Sequence, residues 1–215
     1  MICLKKRKEI RNGFSVNVYD VEITADMRNQ CLRFAKEIIL SDNQYSRLLP
    51  SEIKNSGNVS MQQKIEVQRT YLGKLGELVF LTFLNNLKKK VDSNGMFDIY
   101  IGQSNVDGYD FVTKKNNTVD VKTGFRNNHK RLLINYEQFI NIPKDYYVAV
   151  KLTATDIDSK LTLVDWDDIT SGTVMGYAEY IYLKKQAKTK DFGEGNAKYI
   201  EYNRLLNIDC LLKEF

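Results

Sequence analysis

The sequence predicts an α/β protein, a mixed central β-sheet flanked by α-helices. Three observations point there. A helical stretch over about residues 62–87 is apolar on almost every side, a series of strand-like runs follows it, and a short helix interrupts those runs. A helix with no polar face must lie between other elements, and a sheet with helices on both faces provides that place.

The first helix is expected over 24–40, where Met27, Cys31, Phe34, Ala35, Ile38 and Ile39 recur at helical spacing. Thr24 is placed to cap it, with Asp26 in the first turn. Residues 49–60, with Pro50, Ser51, Asn55, Ser56, Gly57 and Asn58, read as a loop. In the long helix that follows, Leu72, Leu75, Leu78, Val79, Phe80, Leu81, Phe83, Leu84 and Leu87 leave no solvent face, and Gly73 and Gly76 read as positions of close approach. Strands are expected over 97–101, 109–113, 118–123, 146–152, 161–164 and 173–183. Asn135 and Gln138 have the spacing of a capping box, starting a short helix at Tyr136 that ends near Ile140, before Pro143. The basic runs 5–8 and 88–90 read as solvated element ends.

With 215 residues, 43% hydrophobic, and two prolines, the chain suits a single domain over 1–215. Its subdivision is expected as an N-terminal helical elaboration (1–60), a core (62–165) and a C-terminal strand and helix elaboration (166–215). A net charge of +5 suits a polyanionic partner. Cys3, Cys31 and Cys210 are too scattered for a zinc motif or a disulfide framework, and a single histidine, His129, excludes a His-His metal site. No leader pattern and no long apolar run is evident, so a cytoplasmic protein without membrane association is expected.

The chemistry concentrates in the segment DGYDFVTKKNNTVDVKTG, residues 107–124. Side chains alternate across a strand, so Asp120 and Lys122 share one face. A three-residue turn at 115–117, with an asparagine in the left-handed position, would set residue 112 opposite 120 and 110 opposite 122. Asp110 then points to the same side. Glu77 lies within the apolar helix, where an unpaired charge is costly. Three carboxylates gathered at roughly 5 Å repel by about 3 kcal/mol per pair at an effective dielectric near 20, more than one lysine offsets. A divalent cation does so, and Mg²⁺ favours oxygen ligands while keeping several waters.

Gly76-Glu77 in a buried helix, then Asp110, nine intervening residues and Asp120-Val121-Lys122, resembles the PD-(D/E)XK nuclease superfamily, with its restriction-endonuclease-like fold. The resemblance covers residues 71–152, including the order of helix and strands. Tyr109 stands where the family name has proline. The resemblance implies an Mg²⁺-dependent deoxyribonuclease, an endonuclease in which Mn²⁺ substitutes for Mg²⁺. Asp110, Asp120 and the Val121 carbonyl would hold the metal, Glu77 would contact it directly or through water, and Lys122 would orient or deprotonate the attacking water. Asp107 and Asp98 are rivals for the first strand acid. Asp107 precedes Gly108 and reads as a turn residue, whereas Asp98 lies farther from the hairpin.

Downstream, Arg126, His129, Lys130 and Arg131 are candidates to track a DNA backbone, and a homodimer is compatible with this reading. The bland alternative makes Asp120 and Lys122 an ion pair on a solvent-facing strand. A catalytically silent DNA-binding or scaffolding protein of the same fold is the second reading. A glycosidase has no use for the lysine. The DFGEGN segment, 191–196, lacks the other kinase motifs and reads as a turn.

Overall fold

The computed structural model describes residues 3–41, 49–99, 108–153, 163 and 165–215. Its first two elements are strands, β1 (Leu4–Arg11) and β2 (Phe14–Glu22), paired as an antiparallel hairpin. This corrects the expected helical N-terminal elaboration. Asn12 and Gly13 take positive φ (49° and 83°) in the two-residue turn, as an Asn-Gly hairpin requires. The run at residues 5–8 lies inside β1 instead of at an element end. There the lysines and arginine alternate on an edge strand, a placement that discourages edge pairing with another chain.

Helix α1 (Ala25–Leu40) starts as expected, with Thr24 Oγ1 accepting from Met27 N–H at 3.3 Å. The expected loop contains a short helix, α2 (Ser51–Asn55). Asn58 caps α3 (Val59–Asn86), which packs on both α1 and the sheet. That double burial explains the apolar circumference. After it, residues 97–99 are not strand, and the rest of the expected strand at 97–101 lies outside the described residues. The same holds for 161–164 apart from Leu163, which is not in a strand.

The remaining elements are β3 (Phe111–Val112), β4 (Thr118–Gly124), β5 (Arg131–Asn135), α4 (Tyr136–Asn141), β6 (Tyr146–Thr153), β7 (Ser171–Glu179), α5 (Tyr180–Gln186), β8 (Lys188–Asp191), β9 (Asn196–Glu201) and α6 (Ile208–Leu211). A six-stranded sheet runs β1-β2-β7-β6-β4-β3, and a three-stranded sheet runs β5-β9-β8. The large sheet is mixed, because only β4 and β6 are parallel. The strand expected over 173–183 stops at Glu179, where the chain turns into α5.

Two cores sandwich the large sheet. On one face Val119 and Val121 of β4 and Val148 and Val150 of β6 meet α1 and α3. On the other, Tyr147 and Ala149 of β6 meet β5, α4, α5 and β9. Covering both faces is what turns β6 into a nearly unbroken apolar run. Gly76 of α3 sits against β4, where a Cβ would come within 1.9 Å of Thr123 Oγ1. Only glycine permits that approach, and it fixes the depth of Glu77 beside β4.

Candidate active site

β3 and β4 pair with Phe111 opposite Val119 and Val112 opposite Thr118. The pairing is two positions from the expected register, and the connection is 113–117 instead of 115–117. Thr113 N–H donates to Asn117 O at 2.9 Å, and Asn116 takes the left-handed conformation at φ 61°. Asp110 lies outside this pairing: its N–H donates to Val119 O at 3.0 Å, so the ladder does not continue regularly to it. The expected convergence is nevertheless found, because Asp110 lines the same cavity as Asp120 and Lys122.

Asp110, Asp120, Val121, Lys122 and Glu77 line one cavity of about 480 Å³, together with Arg126, His129, Lys130 and Arg131. It is bounded by α3, by β4 beyond its short pairing with β3, and by the rim of the small sheet. Asp98 is exposed and lies outside this lining, while Asp107 lies outside the described residues.

Each acid has a donor. Asp110 Oδ2 accepts from the Val121 N–H at 2.6 Å. A strand residue directs its N–H and C=O to the same edge, so the Val121 carbonyl faces the Asp110 side as well. Asp120 Oδ2 pairs with Lys122 Nζ at 2.7 Å, and Glu77 Oε2 with Lys74 Nζ at 2.6 Å. These two pairs are nearly enclosed, with side-chain exposures of 14% and 21% for Asp120 and Lys122, and 12% and 9% for Glu77 and Lys74. The ion pair of the bland alternative thus forms, but largely enclosed and not on a solvent-facing strand.

Burial holds the Asp110 carboxyl well above the usual carboxylate range, and the charges of Glu77 and Asp120 push it further. The Val121 N–H and Lys122 oppose this without cancelling it. Asp110 thus carries the strain of an acidic group short of cations. Hard oxygen donors with an uncompensated charge fit Mg²⁺, which is commonly held by one or two carboxylates and water. Among the described residues, however, no group of three or more His, Cys, Asp or Glu side chains is assembled to hold a metal. The donor chemistry fits a site built on Asp110 and Asp120 and does not include Glu77 as a ready third ligand.

Four side chains were not legible as site residues. Gln138 caps α4 only through its backbone N–H, which donates to Asn135 Oδ1 at 3.0 Å. Its side chain leaves the capping box, and Oε1 accepts from Lys122 Nζ at 3.2 Å. Lys74, as the partner of Glu77, was recognisable only from its helical spacing. Arg69 and Glu194 meet across the cavity from positions far apart in sequence.

The His129 ring is packed against its neighbours while also lining the cavity. Its ring lies against Gly124, where a Cβ would approach Cδ2 to 2.4 Å, and 6.0 Å from the Tyr202 ring centroid. Nε2 lies 2.6 Å from Arg131 O, an acceptor, so the neutral ring carries its proton there. Burial lowers its pKa to about 4. His129 therefore anchors the loop that presents Arg126 and Lys130. Arg131 spreads over the Phe192 and Tyr199 rings, 5.8 and 5.2 Å from their centroids. No helix among the described residues is long and apolar enough to cross a membrane.

No family model, curated protein or solved structure matches the chain.

Proposed function

We propose that the protein is a Mg²⁺-dependent deoxyribonuclease of restriction-endonuclease-like architecture, hydrolysing DNA phosphodiester bonds internally in the cytoplasm. The observation that carries this reading is the convergence of Asp110, Asp120 and Lys122 on one cavity whose outer wall is cationic. Asp110, Asp120 and the Val121 carbonyl would hold the cation, with Mn²⁺ as a substitute, and Glu77 would act from its edge. When bound, the metal would polarise the phosphodiester and acidify a water. Lys122, fixed between Asp120 and Gln138, has one ammonium proton left to direct at a phosphate oxygen or an attacking water. Arg126, Lys130 and Arg131 supply charge for the backbone, and the Phe192 and Tyr199 rings beside Arg131 offer stacking surfaces.

One specific observation favours the second reading, a DNA-binding protein of the same fold without catalysis. Both Asp120 and Glu77 are already neutralised by lysines. Incubation with supercoiled plasmid, linear duplex and single-stranded DNA, with Mg²⁺ or with EDTA, separates the two. Cleavage that requires the metal supports the nuclease. Metal-independent binding with no cleavage of any substrate supports the silent protein and removes the catalytic assignment.

A further inference from the structure

The turn between β8 and β9 is stapled from several sides. Asp191 Oδ1 accepts from the Gly193 and Gly195 N–H groups at 2.6 and 3.2 Å, and Gly193 O accepts from Ser51 N–H at 3.2 Å. This frame presents Glu194 to α3, where its two carboxylate oxygens take Nη1 and Nη2 of Arg69. The pair is mostly enclosed, with side-chain exposures of 19% for Arg69 and 27% for Glu194. Both residues line the cavity that holds Asp120 and Lys122.

Arg126 enters the same cavity from the β4–β5 connection. Its Nε is buried and has no hydrogen-bond partner among the described residues. Burial weakens its hold on its proton, Glu194 acts the other way, and Arg69 repels it. Arg69 and Arg126 therefore lie near enough to repel one another, and Glu194 is the carboxylate that acts on both. A buried donor left unpaired is costly, and the planar guanidinium fork matches two oxygens of a carboxylate or a phosphate.

We propose that Arg69 and Arg126 form a phosphate subsite of the cavity, that Glu194 occupies it in the free protein, and that a backbone phosphate of a nucleic-acid strand displaces Glu194. The inference rests on the reading that such a strand enters the cavity. A phosphodiester brings the same single charge as Glu194 and further oxygens, so it can satisfy Arg126 as well as Arg69. Glu194 then acts as an internal competitor that screens against weakly bound anions.

The test uses the full chain without metal, in EDTA. Anisotropy of a fluorescein-labelled DNA oligonucleotide and calorimetric titration with inorganic phosphate read the same subsite from two sources. Glu194→Gln is expected to tighten both ligands by about tenfold, and Arg126→Gln to weaken both by a similar factor, the scale of one charge-assisted contact. The double variant should lose the gain of Glu194→Gln. If Glu194→Gln does not fold, Arg126→Gln still decides the matter, because Arg126 takes no part in the Arg69–Glu194 pair. Unchanged affinities in the folded variants overturn the subsite and leave Arg69–Glu194 a structural clasp, even if DNA is cleaved. Phosphate binding that follows the predicted pattern while DNA does not bind overturns the nucleic-acid assignment and leaves the anion subsite standing.

Discussion

Replacing Gly76 by alanine tests the contact that sets the depth of α3 against β4, and hence of Glu77 beside Asp110 and Asp120. The added methyl would lie 1.9 Å from Thr123 Oγ1 and 3.0 Å from Thr123 Cβ and Cγ2. Rotating the threonine moves Oγ1 and Cγ2 but leaves Cβ in place, so part of the clash persists until the helix and strand separate. The neighbours Leu75, Val79 and Phe80 are fully buried and resist that separation. Alanine gains about 1 kcal/mol of helix propensity over glycine. Overpacking costs roughly 1–3 kcal/mol, so the net loss should be about 1 kcal/mol. For a chain of this length that corresponds to a melting temperature lower by roughly 2–4 °C. Urea denaturation followed by circular dichroism measures the loss directly. Adding Thr123→Ala removes Oγ1, which is buried without a partner among the described residues, together with Cγ2. The double variant should therefore recover part of the stability. A Gly76→Ala protein as stable as the parent would refute the reasoning, since helix propensity would then outweigh a contact too loose to position Glu77.

The other predictions concern charge. Because the folded state raises the Asp110 pKa, this group adds most stability below the unfolded carboxylate pKa and loses it as pH rises through the folded value. Asp110→Asn keeps an acceptor for the Val121 N–H and should therefore be more stable than the parent at pH 7 to 8 without metal, as read by thermal denaturation; a less stable variant would refute the excess of negative charge. His129 shifts the other way: its stabilising effect is present above about pH 6.5 and is lost as pH falls through about 4, by about 3 kcal/mol at most. His129→Gln should flatten the stability profile across that window, and an equally steep profile would mean the ring is solvated. Within the proposed nuclease, Asp120→Asn should weaken Mg²⁺ binding and cleavage together, while Lys122→Ala should spare metal affinity and slow single-turnover cleavage by about 10²-fold or more. Wild-type cleavage by Lys122→Ala would leave Asp120 and Lys122 a buried ion pair with no catalytic part.

Sequence alone determined the features that depend on neighbours along the chain. Helical spacing and the caps at Thr24 and Asn135 located α1 and α4, and an apolar circumference implied that α3 is sandwiched. Period-two alternation placed Asp120 and Lys122 together, whereas the hairpin register was displaced by two, and Asp110, outside the β3–β4 pairing, reaches the same cavity through its contacts with Val119 and Val121. The N-terminal hairpin was also written locally, in Asn12-Gly13 and the alternation of β2, but basic residues on an edge strand masked it. What only the tertiary structure decided are pairings between distant segments. The sequence contains no local signal that Glu194 reaches Arg69, that the Gln138 side chain abandons its cap for Lys122, or that His129 turns inward onto Gly124. Each is a choice among many possible partners for a flexible polar side chain. Burial makes that choice, because a polar group taken from water must accept whichever complementary group the packing of helix, large sheet and small sheet brings within reach.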